Sequence, residues 1–143
     1  MLVAAGGEPV TFSHRRHAQL KLPCVNCHAG ATNAERAGFP TASNCMVCHQ
    51  VILKERPAIR RLAGLPRDGK AFPSAKRATL PDFVFFSHSR HAAAEVACES
   101  CHGRVLDMDS IPPEAPRTMK ACVGCHTGRK ATLVCNACHE LNQ

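Results

Sequence analysis

The chain has no tryptophan, no tyrosine and only six phenylalanines among its 143 residues. An ordinary interior packed around large rings is therefore excluded, although the length allows one compact domain or two very small ones. Ten prolines and nine glycines interrupt any long regular element. Nowhere does the sequence approach the roughly 18 consecutive apolar residues that a spanning helix needs, so it offers no transmembrane segment of its own. Basic residues outnumber acidic ones, for a formal charge of +7. They are neither interleaved with aromatics nor set in a nucleic-acid motif, so no nucleic-acid partner is expected.

What the chain has in quantity is cysteine. Its ten cysteines fall into five CxxC pairs, and a histidine follows every pair. The motifs are CVNCH (Cys24, Cys27, His28), CMVCH (Cys45, Cys48, His49), CESCH (Cys98, Cys101, His102), CVGCH (Cys122, Cys125, His126) and CNACH (Cys135, Cys138, His139). A disulfide framework gives no reason for that spacing. CxxCH is the attachment sequence for c-type haem. Two thiols one turn apart add to the vinyl groups of one macrocycle as thioethers, and the adjacent imidazole is held beneath the iron as its proximal ligand. Structural zinc would combine CxxC pairs two by two into tetrahedral sites, but five pairs do not divide by two. Zinc also leaves the histidine after every pair unexplained. The expected cofactor is five covalently bound haem c groups.

Nine histidines less the five proximal ones leave four. They stand in two nearly identical phrases, FSHRRHA from Phe12, with His14 and His17, and FSHSRHA from Phe86, with His88 and His91. On a helical turn positions i and i+3 share a face, and the leading Ser13 or Ser87 suits an N-cap. One turn then offers imidazoles to two neighbouring irons. Isolated pairs of this kind more often face solvent or fill a core, but with five irons needing sixth ligands, distal ligation is the expectation.

The repetition runs further. Phe12, Ser13, His14, His17, Ala18, Cys24, Cys27 and His28 recur 74 positions later, and Thr41, Cys45, Cys48 and His49 recur 77 positions later as Thr118, Cys122, Cys125 and His126. The chain thus reads as a dihaem module over 1–53, a basic proline-rich linker over 54–81 and a trihaem module over 82–143, the second copy carrying the extra motif. Four distal histidines serve four haems. The fifth iron is either open to a small substrate or closed by a methionine. Met119 leads, because its counterpart in the first copy is Ala42, and Met108 follows. Met46 lies between the cysteines of its own motif, and Met1 is terminal.

With about 29 residues for each of five haems, the macrocycles are expected to form much of the apolar core. Loops and short helices, with little or no sheet, should wrap them, the helices lying around 45–54 and 88–97 and Phe12 and Phe86 packing on haem faces. The charge shrinks once cofactors are counted. A ferric porphyrin core adds about +1 and two propionates about −2, so five haems bring the total to roughly +2 and full reduction to roughly −3. The basic residues of the linker are Lys54, Arg56, Arg60, Arg61, Arg67, Lys70, Lys76 and Arg77. They suit a belt pairing with propionates, a solvated connector or a docking site for an acidic partner.

These motifs resemble the class III multihaem cytochromes, the cytochrome c3/c7 group, in which FxHxxH ahead of a CxxCH supplies distal ligands to two different haems. A nearer resemblance is to the pentahaem cytochrome subunit of alternative complex III, a bacterial quinol-oxidising membrane complex. FSHRRH, AGFPTASNCMVCHQVI from Ala37, LPDFVFFSHSRH from Leu80 and CESCHGRVLDM from Cys98 carry it. The resemblance implies that His14 serves the haem of Cys24 and Cys27, His17 that of Cys45 and Cys48, His88 that of Cys98 and Cys101, and His91 that of Cys122 and Cys125. It also implies periplasmic or extracellular residence, for which the opening MLVAAGGEPV is too short to be the export signal. That subunit usually carries a membrane anchor, of which this sequence shows no sign. The expected activity is electron transfer along a row of haems between redox partner proteins, a quinol-oxidising membrane complex among them. Two alternatives stay open. One is a unit of an extracellular filament that self-assembles through terminal haems. The other is a reductase of small molecules at an open fifth haem, against which stands the lack of a CxxCK motif.

Overall fold

The computed structural model describes residues 10–67, 80–111 and 118–140; Met1, Lys70, Lys76 and Arg77 lie outside them. Short α-helices alternate with turns and irregular chain: α1 (His14–Ala18), α2 (Ala42–His49), α3 (Pro57–Ala63), α4 (His88–Ala93), α5 (Glu99–His102) and α6 (Met119–Gly128). Among the described residues there is no strand, and an isolated antiparallel bridge joins Val84 to His139. The expected class, mostly irregular with short helices as in a small class III cytochrome, is the one observed.

The phrase FSHxxH is a complete helix start. Ser13 caps α1 by accepting from the Arg16 amide, and Ser87 caps α4 by accepting from the Arg90 amide. Phe12 precedes its cap and stacks on His17, ring centroids 4.4 Å apart and planes 23° apart; Phe86 stacks on His91 at 4.5 Å and 27°. These are the positions of a hydrophobic staple, the residue before the cap folding over the fourth residue of the helix. The two phenylalanines thus pack on the second histidine of their own turns.

The expected helices are present with different ends. Thr41 starts α2 three residues early through a capping box with Asn44. At the other end, α4 stops at Ala93 because Glu95 adopts a left-handed φ of 54°. The Glu95 amide then bonds the Ala92 carbonyl (2.9 Å) and the Val96 amide that of His91 (3.0 Å), a Schellman closure. α6 closes alike, with Lys130 at φ 54°, its amide on Thr127 and the Ala131 amide on His126. The left-handed non-glycine residues repeat too: Lys21 and Glu95 are 74 apart, Leu53 and Lys130 are 77 apart. The duplication thus persists in the backbone, at a cost of roughly 1–2 kcal/mol per left-handed residue.

Among the described residues, the protein alone buries three apolar side chains, Ala42, Met46 and Leu62, with Ile59 and Leu65 packed against them. Leu62 belongs to α3, which starts with Pro57 in its first turn, falls within the linker and lies on α2. The start of the basic segment is thus folded onto the first copy.

The copies also clasp one another. α1 sits on the 3-10 turn Val105–Asp107 of the second copy, with the Arg15 amide donating to Met108 O (3.0 Å). α4 sits by the turn Ala29–Ala31 of the first copy, with the Ser89 amide donating to Ala34 O (3.0 Å). A side chain on Gly30 would run into the Arg36 carbonyl, so this loop closes tightly only with glycine there.

Candidate haem sites

The attachment motifs lie on two kinds of local structure. The second and fourth sit inside helices, Cys45, Cys48 and His49 on α2 and Cys122, Cys125 and His126 on α6. The first and fifth open with 3-10 turns, Cys24–Asn26 and Cys135–Ala137, and the third runs through α5. Either way, the motif makes one turn, so both thiols and the histidine emerge close together. All ten cysteines are free, none is buried, and none forms a disulfide. Burial and the adjacent Cys98 thiol push the Cys24 thiol above its ordinary range. Cys45 is raised as well, first by burial and then by its neighbour Cys27. The first motif therefore lies between the third and the second.

Histidine orientation is set by backbone carbonyls. Nδ1 of His28 meets Gly38 O (2.8 Å), that of His49 meets Ile52 O (3.1 Å) and that of His126 meets Thr132 O (2.7 Å). In the phrases, Nδ1 of His17 meets Ser13 O and that of His91 meets Ser87 O, both at 2.8 Å, while that of His88 meets Glu35 O at 2.9 Å. A carbonyl only accepts, so each Nδ1 carries the proton and donates it, which leaves Nε2 with a lone pair for a metal. Gly38 reaches its place at φ 72°, a conformation in which a side chain would be strained.

Three histidine pairs lie close together, each within one copy, their planes 73°, 13° and 44° apart. Ring centroids are 6.1 Å apart for His17 and His49, 6.3 Å for His88 and His102, and 6.1 Å for His91 and His126. With a metal–nitrogen bond of about 2.0–2.1 Å and a centroid about 1.1 Å behind the nitrogen, two imidazoles on opposite sides of one ion stand about 6.3 Å apart. These separations would suit an iron held between two imidazoles. His14 occupies the same place in its turn as His88, edge-on to Phe12 at 4.8 Å as His88 is to Phe86. His28 has Phe39 beside it at 5.8 Å, and His139 has Phe83 at 6.0 Å.

Two further features fit a large, apolar, acidic group. Apolar side chains around the second motif stand open, Val47 at 69% and Val51 at 73% exposure, where the described residues bury only Ala42, Met46 and Leu62 among their apolar side chains. Arg61, on α3, has its Nε buried without a hydrogen-bond partner among the described residues, a donor suited to a carboxylate. A tetrahedral ion site fits less well, since among the described residues no three histidine, cysteine or acidic side chains converge.

Residues 84–140 match the family of cytochrome c7 and related cytochrome c. That segment contains the second histidine phrase and three of the five motifs. Over 94% of its length the chain is also 26% identical to the high-molecular-weight cytochrome c of Nitratidesulfovibrio vulgaris, and it spans 29% of that protein. Similarity to cytochrome c implies covalently bound haem c and electron transfer, in agreement with the motifs. No helix among the described residues is long and apolar enough to cross a membrane.

Of the methionines weighed for the fifth site, Met119 opens α6 with its side chain 65% exposed, and Met108 is half-buried at the clasp, its carbonyl engaged by Arg15. Sequence reasoning missed the carbonyls that orient the histidines, because a carbonyl has no side-chain signature. Gly38, inside the stretch AGFPT, was the available signal.

Proposed function

We propose that the protein is a pentahaem c-type cytochrome that passes electrons along a row of closely packed haems between extracytoplasmic redox partners. The observation that carries this reading is the threefold recurrence of imidazole pairs with centroids 6.1–6.3 Å apart, each joining a CxxCH histidine to one from an FSHxxH turn. A bound haem supplies a reversible one-electron step whose potential depends on axial ligands, burial and nearby charge.

The chain's own residues do the holding. The cysteine pairs of the five motifs anchor the macrocycles, and His28, His49, His102, His126 and His139 are the proximal ligands. His17 would serve the same iron as His49, His88 the same as His102 and His91 the same as His126, as their ring separations support, and His14, by the repeat, the same as His28. The carbonyls on Nδ1 of His17, His28, His49, His88, His91 and His126 keep the proton away from the other ring nitrogen and would make these imidazoles stronger donors. For His139 no histidine remains, and Met119, then Met108, is the sulfur ligand proposed. Arg61 pairs with a propionate, as the orphaned Nε supports. The neighbouring thiols of Cys24 and Cys98, and of Cys27 and Cys45, support a row in which the first haem lies between the second and third.

The organisation proposed is the dihaem module 1–53 and trihaem module 82–143 joined by the basic segment. The sequence resemblance supports a quinol-oxidising membrane complex as electron donor and residence outside the cytoplasm. Reductive titration of the purified protein with haem counting tests the proposal. Five covalently bound, redox-active haems are expected, and fewer would overturn it.

A further inference from the structure

The contacts between the copies are one bond made twice, with the partners exchanged. Arg15 N to Met108 O and Ser89 N to Ala34 O are related by 74 positions at both donor and acceptor. In each case the turn bearing a histidine pair docks on the segment that follows the other copy's first attachment motif. The two histidines of a pair are consequently anchored in different ways. The second one, His17 or His91, bonds the carbonyl of the serine that caps its own turn. His88, the first of its pair, is held from across the clasp. Both the amide of His88 (3.0 Å) and its Nδ1 (2.9 Å) donate to Glu35 O, so one carbonyl of the first copy fixes the place, rotamer and tautomer of a histidine in the second.

Asp109 stands where Glu35 does, 74 residues on, and the chain has reinforced that side of the clasp with side chains. Ser13 Oγ donates to Asp109 Oδ1 (2.6 Å), Arg15 Nη1 pairs with Asp109 Oδ2 (3.2 Å), and Arg15 Nε donates to Asp107 O (2.7 Å). Ser13 immediately precedes His14 and Arg15 immediately follows it. An exposed ion pair alone does little for stability. A carboxylate that grips the residues on both sides of a ligand instead restricts where that ligand points.

We infer that each copy positions the first distal histidine of the other, and that Asp109 is the positioning residue for His14. Although Asp109 follows the motif of Cys98 and Cys101, it acts on the haem of Cys24 and Cys27. The inference rests on the ligand assignments of the proposed function. Its consequence is that the two central sites are built jointly: neither copy completes its axial ligation alone, and a displacement in one clasp is felt at the iron of the other module.

The test is a crossed comparison on purified holoprotein, by near-infrared magnetic circular dichroism and potentiometric titration. His14→Ala and His88→Ala give the reference signatures of the two haems, each moving one-fifth of the low-spin intensity. Asp109→Ala should shift the same fifth as His14→Ala and let added imidazole or cyanide bind there, and Asp109→Glu should restore the original spectrum. A spectrum unchanged in Asp109→Ala, or altered at the haem marked by His88→Ala, would overturn the inference. If His14→Ala itself leaves all irons low-spin, the assignment of His14 falls and the inference with it. Haem counting on the same variants separates that result from a failure of the pentahaem reading.

Discussion

Replacing His91 with alanine puts the paired-imidazole geometry to a quantitative test. The His91 ring stands 6.1 Å from that of His126 and is held in place by its Nδ1 bond to Ser87 O and by the Phe86 stack. His126 is fixed independently, on α6 and by Thr132 O, so the opposite ligand stays where it is. Phe86, the ring nearest the space, has no lone pair to donate. The helix itself should survive, because alanine is the best helix former and the Ser87 cap is untouched. The main local loss is the ring stack, about 0.5–1.5 kcal/mol beyond area burial. The electronic effect is larger: under the proposed pentahaem ligation, one iron of five would change from six-coordinate low-spin to high-spin, and about one-fifth of the low-spin intensity should disappear. Added imidazole, the size of the lost ring, should restore it. The assay is magnetic circular dichroism of the oxidised protein with and without imidazole. Full low-spin intensity in His91→Ala without imidazole would refute the reasoning.

Thr41→Ala breaks the capping box of the helix that carries the second motif, and should cost about 1 kcal/mol, lowering the thermal midpoint by roughly 2–8 °C. Thr118→Ala, which removes a cap without a reciprocal partner, should cost less; equal losses in a melting experiment would contradict the capping assignment. Arg61→Gln removes a positive charge with a buried, unpartnered Nε, so the reduced state of one haem loses stabilisation and its potential should fall by an amount on the order of tens of millivolts in a redox titration. Unchanged potentials would count against the carboxylate pairing. The Ser13 hydrogen bond, followed by Arg15 and Arg16, holds the Asp109 carboxyl below its usual range. A depressed carboxylate contributes stability that is complete above its ordinary value of about 3.9 and is lost as pH falls through the lower folded value. Under the proposed ligation of a haem by His14, the Soret band should therefore stay constant from neutrality to about pH 4 and change only below it, and Asp109→Asn should abolish that acid step.

The parts of this architecture that were readable in the sequence are the local ones. A CxxCH motif is one turn of chain, and the serine of FSHxxH caps a helical turn as its position suggests, so spacing alone locates both. What sequence reading missed depends on backbone or on distant chain. The ends of α4 and α6 fall at Glu95 and Lys130, left-handed residues where the usual signal is glycine. The basic segment reads as a proline-rich connector, yet Pro57 begins a helix whose Ile59 and Leu62 pack on α2. The clasp runs through the carbonyls of Ala34, Glu35 and Met108, atoms that every residue possesses, and side chains mark it on one side through Ser13, Arg15 and Asp109. Charge counting likewise singled out a whole belt of basic residues, whereas burial distinguishes Arg61 among those described.

The most direct test of the account is the mass of the mature protein, measured intact under denaturing conditions that preserve thioethers and release anything bound by coordination alone. The account predicts the mass of the polypeptide plus five haems. A bare chain, a disulfide-linked chain or one that had carried zinc at its cysteines would contradict it.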